Sequence, residues 1–166
     1  MDKSAYRRIL PLLDMNAGQG DRSILHLECG TGGDLKYMST VFGEANRFFG
    51  VDRSTEAIDN VDPAIANDEN FYFRQYDISK GIPFDYNFFD VVYGNGFLES
   101  IEDKEALVRE IYRVAKDGAR IILFEKNRES LGPIVANTFF AGFIYVCKTG
   151  GIGDGFNGYV YVGNKL

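Results

Sequence analysis

Short runs of apolar and β-branched residues alternate with helical patterns along the chain. Such alternation is typical of a mostly parallel sheet with helices on both faces. The last two runs are joined by the glycine-rich segment 150–158, which predicts a hairpin. The sequence therefore predicts an α/β fold, namely a three-layer, doubly wound, mostly parallel seven-stranded sheet with an antiparallel C-terminal hairpin. The predicted strands cover residues 23–27, 47–52, 71–77, 88–94, 119–125, 143–148 and 158–163.

Helical spacing of apolar residues predicts the elements between these strands. The helix after the first strand ends at Gly43, and a short helix capped by Ser54 follows the second strand. The clearest helix covers residues 102–116, where Ser100 and Asp103 have the spacing of a capping box. Further short helices are predicted within the first ten or so residues and around 130–140.

Composition narrows the class of protein. The 166 residues suit one domain, and the net charge of −6 argues against binding to a nucleic acid backbone. No apolar run approaches the ~20 residues that span a bilayer, and the start lacks the pattern of a signal peptide. Cys29, Cys147 and the single His26 are too few for a disulfide framework or an ordinary zinc site. We therefore expect a reduced, cytoplasmic protein without metal, nucleic acid or membrane contact.

Carboxylates and glycines follow the first four predicted strands. The carboxyl ends of parallel strands meet at one edge of the sheet, where open α/β sheets bind ligands. Carboxylates accept hydrogen bonds from ribose hydroxyls, and glycines allow the backbone to approach a ligand closely. This edge therefore predicts a nucleoside-bearing ligand. The residues concerned are Glu28, Gly30 and Gly32, then Asp52, then Asp77, then Gly94, Asn95 and Gly96.

The glycine spacing distinguishes between nucleoside ligands. A nicotinamide dinucleotide site needs G-x-G-x-x-G, in which the third glycine allows tight packing of helix on strand. Counted from Gly30, the third position is Leu35, so the spacing fails, although Asp52 lies about where the ribose-binding acid would stand. A nicotinamide-dependent oxidoreductase remains a hypothesis that this glycine spacing disfavours.

The stretches ILHLECGTGGDLKYMS and FFGVDRSTEAI cover the first two predicted strands and the turns after them. They resemble the first motif and the second-strand motif of class I, Rossmann-like, S-adenosylmethionine-dependent methyltransferases. The run from third to fifth strand is similar to residues 71–125, including IPF and VAKDGA, and AGFIYVCK and GYVYVGNKL resemble the closing strands. The resemblance spans nearly the whole chain and is greatest to the small-molecule branch (methyltransferase type 11-like).

The resemblance implies roles for individual residues. Gly30 and Gly32 would lie under the methionine part of the cofactor, S-adenosylmethionine, and Asn95 would line the floor near it. Asp52 would hold the ribose hydroxyls, and Arg53 beside it is a further candidate for cofactor binding. Asp77 would hold the adenine amino group, and Ile78 would pack on the ring. The candidate cofactor-binding residues are thus Glu28, Gly30, Gly32, Asp52, Arg53, Asp77, Ile78 and Asn95.

The sequence also departs from the family pattern. Glu28 stands at the first glycine of G-x-G-x-G, and His26 stands where an acid is common. Glu28 would either crowd the methionine carboxylate or turn aside and meet the ligand's ammonium. A histidine often found after the fourth strand is Ser100. No catalytic residue is assigned, although Glu99 and Tyr93 are nearest in position.

These observations predict a methyltransferase that acts on a small-molecule acceptor. The expected organisation is one minimal domain over residues 1–166, without a substantial lid or N-terminal extension. A homodimer or a partner protein would then cover the open site. The alternative is a catalytically inactive, methyltransferase-like binding or scaffolding module that works with a partner protein, a reading that Glu28 and the missing cover favour.

Overall fold

A computed structural model describes residues 20–136, 139–148 and 157–166 of the chain. The helix predicted near the N-terminus and most of the predicted loop at 150–158 lie outside these residues. In the part described, seven strands form one sheet in the order β3-β2-β1-β4-β5-β7-β6. Their bounds are β1 Ser23–Leu27, β2 Arg47–Asp52, β3 Phe71–Gln75, β4 Phe89–Asn95, β5 Ala115–Glu125, β6 Phe140–Lys148 and β7 Asn157–Lys165.

Strands β1 to β5 are parallel, whereas β7 pairs antiparallel with both β5 and β6. The sheet grows outward from β1 in both directions, with β2 on one side and β4 on the other. The strand order therefore reverses between β1 and β4, and the crevice at that point is where open α/β sheets bind ligands. The predicted fold class, including the antiparallel C-terminal hairpin, is confirmed.

Helices and short 3-10 turns connect the strands. The helices are α1 Gly33–Phe42, α2 Thr55–Asp59, α3 Pro63–Ala66, α4 Lys104–Val114 and α5 Gly132–Ala136, and the 3-10 turns are Ile78–Lys80, Leu98–Ser100 and Arg128–Leu131. The expected cap of α2 is confirmed, because Ser54 Oγ accepts a hydrogen bond from the N–H of Ala57 at 3.1 Å. No helix within the described ranges has the length and apolar character that crossing a bilayer requires.

The predicted capping box at α4 is wrong. Asp103 itself caps this helix, since its Oδ1 accepts a hydrogen bond from the N–H of Ala106 at 2.8 Å. Ser100 instead ends the preceding 3-10 turn, and its hydroxyl donates to the carbonyl of Phe97. The sequence pattern predicts Ser100 as the cap of the helix and Asp103 as its partner. Because the 3-10 turn Leu98–Ser100 lies before the helix, α4 begins later and Asp103 stands at the cap position.

Two apolar cores lie on opposite faces of the sheet, as a doubly wound fold requires. On one face, Leu35 and Met38 of α1 and Ile65 of α3 pack over β1, β2 and β4. On the other face, Leu107 and Ile111 of α4, together with residues of α5, pack over β1, β4 and β5. Both layers hold the strands so that their carboxyl ends present connecting turns at one edge.

Candidate functional site

The turn after β1 begins with a strained glutamate. Glu28 has a φ of 54°, in the left-handed region that favours glycine. Its Oε2 accepts a hydrogen bond from Arg53 Nε at 3.1 Å, while its Oε1 is buried and has no hydrogen-bond partner in the described residues. Burial raises the pKa of Glu28, and the neighbouring guanidinium acts in the opposite direction. The turn therefore carries a carboxylate side chain at a position whose backbone conformation favours glycine.

Two glycines shape the rest of the turn. Gly32 has a φ of 78° and caps α1, and a Cβ on it would lie 2.8 Å from the ring of Phe73. Gly30 has a φ of 56°, and a Cβ there would meet no atom within 4 Å. Gly32 is thus required by packing inside the protein, whereas Gly30 faces open space. A ligand at this edge would approach the backbone at Gly30.

Asp52 joins the ends of β1 and β2. Its Oδ2 accepts a hydrogen bond from the N–H of Gly30 at 2.7 Å, and its Oδ1 accepts one from the N–H of Ser54 at 2.8 Å. The residue is 7% exposed. A carboxylate has about four lone-pair sites, so each oxygen retains capacity for one more donor. The backbone holds this carboxylate in a fixed orientation at the ligand edge.

Arg53 bridges three of the connections at this edge. Its Nε donates to Glu28, and its Nη2 donates to Ser100 Oγ at 2.7 Å. Its carbonyl oxygen accepts from Gln75 Nε2 at 2.9 Å. The side chain is nevertheless 47% exposed. The guanidinium therefore links the turn after β1 to the 3-10 turn after β4 while one part of it faces solvent.

The next candidates, Asp77 and Ile78, follow β3. Asp77 Oδ1 accepts hydrogen bonds from the hydroxyl and the N–H of Ser79, and these lower the pKa of Asp77. Its Oδ2 lies 3.9 Å from Lys80 Nζ. Ile78 is 1% exposed and belongs to the core beneath the edge. Asp77 can still accept from a ligand, but Ile78 offers little free surface, and its contact with a ring stays a prediction.

A buried polar cluster that the sequence did not indicate lies below the glycine turn. The Tyr93 hydroxyl donates to Asp34 Oδ2 at 3.3 Å, and His26 Nε2 lies 3.9 Å from the same oxygen. Asn95 also forms a side-chain hydrogen bond with the Asp34 carboxylate. Burial raises the pKa of Asp34 to about 6 and lowers the pKa of His26 to about 3. Asn95, the last of the sequence candidates, thus meets α1 at the end of β4.

The residues considered for proton transfer are poorly suited to it. Tyr93 is fully buried, and its pKa is raised well above the ordinary value by burial and by Asp34. Glu99 Oε1 accepts a hydrogen bond from Asn127 Nδ2 at 3.2 Å. Burial raises the pKa of the Cys29 thiol to about 12, so this cysteine is an apolar turn residue. Among the residues described, no group of His, Cys, Asp and Glu is arranged to hold a metal ion.

The sequence candidates fall into two groups in space. Gly30 is hydrogen-bonded to Asp52, Glu28 is hydrogen-bonded to Arg53, and Asp52 and Arg53 are consecutive in the chain. Asp77 follows β3 and Asn95 ends β4, so the two residues flank this group at the same edge of the sheet, with β2 and β1 between their strands. These residues fit S-adenosylmethionine, because among the described residues the buried Oε1 of Glu28 has no donor and nothing fills the space beside Gly30, and the carboxylates after β2 and β3 retain acceptor capacity.

Comparison with known proteins agrees with this geometry. A family profile described as a methyltransferase domain matches residues 25–123, which is more than half of the chain. The demethylmenaquinone methyltransferase of Lactococcus lactis subsp. lactis is 30% identical over 119 residues, covering 70% of this chain and 46% of the relative. Phosphoethanolamine N-methyltransferase 3 of Arabidopsis thaliana is 30% identical over 145 residues, covering 87% of this chain and 27% of the relative. The chain thus spans less than half the length of either relative.

A solved structure shows the same fold. The S-adenosylmethionine-dependent methyltransferase from Aquifex aeolicus superposes with a TM-score of 0.77 and 16% identity, and the match covers 99% of this chain and 94% of that one. The predicted resemblance and the predicted cofactor class are confirmed at the level of the family. The chain belongs to the methyltransferase domain family, whose cofactor is S-adenosylmethionine.

Proposed function

We propose that this chain binds S-adenosylmethionine along the carboxyl ends of β1 to β4 and catalyses transfer of its methyl group to a small-molecule acceptor. The observation that carries the proposal is the Asp52 carboxylate, which two backbone N–H groups hold at the carboxyl end of β2, next to the switch point between β1 and β4. Its remaining lone pairs suit a pair of vicinal hydroxyls, as in ribose. Asp77 would accept from the adenine amino group.

The chemistry asks little of the protein beyond binding and alignment. When bound, S-adenosylmethionine supplies a methyl group that its sulfonium already activates. The chain's own residues then need to hold the ligand, orient an acceptor in line with the methyl group and exclude water. This agrees with the buried Tyr93 and the hydrogen-bonded Glu99, neither of which is placed as an obvious general base. A base becomes necessary only for an acceptor that starts out protonated.

The acceptor is proposed to be a small molecule. The relatives named above are by name a demethylmenaquinone methyltransferase and a phosphoethanolamine N-methyltransferase, so both carry small-molecule acceptors in their names.

We also propose that the site works without nucleic acid or membrane, in the cytoplasm. Covering of the acceptor side by a second copy or a partner protein belongs to the same proposal. A molar mass measured by light scattering, with and without ligand, would test for the second copy.

Replacing Asp52 by Asn tests the ribose contact. We expect isothermal titration calorimetry to show S-adenosylhomocysteine binding about tenfold to a hundredfold more weakly, because charge-assisted hydrogen bonds contribute roughly 1.5–3 kcal/mol. The matched control is Asp85→Asn, an exposed aspartate on the loop before β4, at the opposite edge of the sheet. Equal affinities for the native chain and Asp52→Asn would contradict the proposed ribose contact.

A non-catalytic binding module is the second candidate function, and Glu28 favours it. Its carboxylate stands where the family has a glycine, at the methionine end of the site. The same calorimeter separates the hypotheses. No heat with millimolar S-adenosylmethionine or S-adenosylhomocysteine would favour the module, whereas heat with NAD instead would favour an oxidoreductase.

A further inference from the structure

Glu28 has a backbone conformation that is unfavourable for folding alone. A residue with a side chain at a φ of 54° is strained, and a glycine there would relieve that strain. The carboxylate is also largely withdrawn from solvent, with its side chain 12% exposed, and Oε1 has no donor among the described residues. Two unfavourable features at one residue indicate a role in binding rather than in packing.

The unsatisfied oxygen lies beside a cation. Glu28 Oε2 accepts from Arg53 Nε at 3.1 Å, and Arg53 Nη2 donates to Ser100 Oγ at 2.7 Å. The two contacts fix the guanidinium next to the carboxylate, yet the arginine side chain is 47% exposed. The pair therefore places a buried carboxylate oxygen, which has no donor among the described residues, beside a half-exposed guanidinium. Its two charges cancel, so the pair does not repel a ligand of either sign as a whole.

The location of the pair determines which part of a ligand it meets. Glu28 is two residues before Gly30, where the backbone borders open space. Asp52, the proposed ribose acceptor, stands between this turn and Asp77 after β3. With adenine at Asp77 and ribose at Asp52, the far end of the ligand reaches Glu28 and Arg53. In S-adenosylmethionine that end is an α-amino acid, which carries an ammonium and a carboxylate on one carbon.

We propose that Glu28 and Arg53 together recognise the zwitterionic end of the adenosyl ligand. Glu28 Oε1 accepts a hydrogen bond from the α-ammonium, and the Arg53 guanidinium binds the α-carboxylate. The inference rests on the proposed function and deepens it by assigning each charge of the amino acid to one side chain. Glu28 is then a specificity determinant and not an obstacle, because Arg53 compensates the charge that would otherwise repel the carboxylate.

Three ligands that share the nucleoside but differ in the charges of the amino acid end test the two contacts separately. S-adenosylhomocysteine carries both charges, its decarboxylated analogue carries only the ammonium, and 5′-methylthioadenosine carries neither. Isothermal titration calorimetry measures the affinity of the native chain, Glu28→Gln and Arg53→Gln for each of the three ligands. The result is a matrix of affinities for three proteins and three ligands. Exposed residues away from the turn provide matched controls, namely Glu44→Gln before β2 and Arg109→Gln on α4. Circular dichroism and thermal melts confirm that each variant is folded.

The proposal predicts a distinct pattern in this matrix. Glu28→Gln weakens binding of S-adenosylhomocysteine and of the decarboxylated analogue by about tenfold or more, because both ligands carry the ammonium and glutamine offers it only a neutral acceptor. Arg53→Gln weakens binding of S-adenosylhomocysteine by a similar factor but leaves the decarboxylated analogue unchanged or tighter. Neither variant changes the affinity for 5′-methylthioadenosine by more than about twofold, within the ordinary effect of a surface substitution.

Other outcomes overturn it. If Glu28→Gly, which suits the positive φ, binds S-adenosylhomocysteine more tightly than the native chain, Glu28 is an obstacle. If each variant changes all three affinities equally, the pair only shapes the turn. In both cases the native chain still binds adenosyl ligands, so the proposed function survives. If none of the three ligands binds the native chain, the proposed function and this inference fail together.

Discussion

Asp34 and His26 are neighbouring buried residues whose pKa values are shifted in opposite directions. Burial lowers the pKa of His26 from 6.5 to about 3. Between these two pH values the imidazole is therefore protonated in the unfolded chain and neutral in the folded chain. Burial raises the pKa of Asp34 from 3.8 to about 6, so the folded chain keeps a proton that the unfolded chain has lost. Between about pH 4 and 6 the histidine makes stability rise with pH, and the aspartate makes it fall.

The variant Asp34→Asn removes one of these opposing contributions. We expect the free energy of unfolding of the variant to rise with pH between 4 and 6 by up to about 1.4 kcal/mol per pH unit more steeply than that of the native chain. Urea denaturation at pH 4, 5 and 6 measures this slope. Asp85→Asn, at an exposed position, should keep the native slope. Parallel curves for the native chain and Asp34→Asn would show that Asp34 titrates normally.

At this scale the sequence indicated which residues follow the strands but not how they pair. The order of motifs was enough to place Gly30, Asp52 and Asp77 at one edge. The contact of His26 with Asp34 and Tyr93 could not be predicted, because it depends on how the first turn of α1 lies over β4. Nor does a carboxylate at a glycine position reveal its φ or its partner, since Arg53 comes from the neighbouring strand.

At the scale of elements, the junction of β1 and α1 places different demands on two adjacent glycines. Gly32 has a positive φ, and a Cβ on it would overlap the ring of Phe73 and approach Ile65 at 3.0 Å. Gly33 is the first residue of α1, and a Cβ there would meet no atom within 4 Å. The two positions form a natural pair for comparing strain with helix propensity.

Gly32→Ala should destabilise the fold by about 2–4 kcal/mol, because strain and overpacking add at one site. Gly33→Ala should be neutral or stabilise by up to about 1 kcal/mol, because alanine is the better helix former and restricts the unfolded chain. Chemical denaturation of both variants gives the comparison. A loss of stability in Gly33→Ala as large as that in Gly32→Ala would mean that the turn is tighter than the structure has it.

Element boundaries were predictable where a polar residue ends an apolar run. Strands β1 and β2 match their predicted ranges for this reason. Strand β5 begins at Ala115, earlier than predicted, because Ala115 pairs with Phe89 ahead of a register shift in the β4–β5 ladder. The short helix α3 was missed, although Asp62 caps it and Pro63 starts it, because four residues are too few for a periodic pattern.

At the scale of the whole molecule, Lys165 ties the last strand to the edge of the sheet opposite the candidate site. Its Nζ donates to Asn87 Oδ1 at 2.9 Å and to the carbonyl of Ala115 at 3.0 Å, and it lies 3.2 Å from Asp117 Oδ1. The ammonium also stands 4.1 Å from the centroid of the Tyr112 ring. The side chain is 4% exposed, so these partners replace water around a buried charge.

Lys165→Met should lower the free energy of unfolding by about 2–3 kcal/mol, since hydrogen bonds to a charged group are lost and a carbonyl loses its donor. The affinity for S-adenosylhomocysteine should stay unchanged, because the contacts lie before β4 and in the first residues of β5, away from the carboxyl ends of the strands. Urea denaturation and calorimetry test the two parts. The exposed Lys126→Met is the matched control. A variant as stable as the native chain would show that the lysine contributes no net stability.

The overall architecture followed from the alternation of strands and helices together with the closing hairpin. The sequence could not indicate that β7 would lie between β5 and β6, because both hairpin strands are apolar and either could border the parallel strands. Burial settles the order, since Val160, Tyr161 and Val162 of β7 are almost fully buried between their neighbours. The predicted organisation as one minimal domain without a lid stays a prediction.

The position of β7 has a consequence for synthesis of the protein. Strand β6 emerges from the ribosome before β7, yet its pairing in the described sheet is with β7 alone. Until residues 157–165 are translated, β6 has no strand to join and β5 keeps an open edge, the kind of surface that recruits other chains. Truncated chains that end before residue 157 should therefore associate with chaperones more than chains that include residues 157–166.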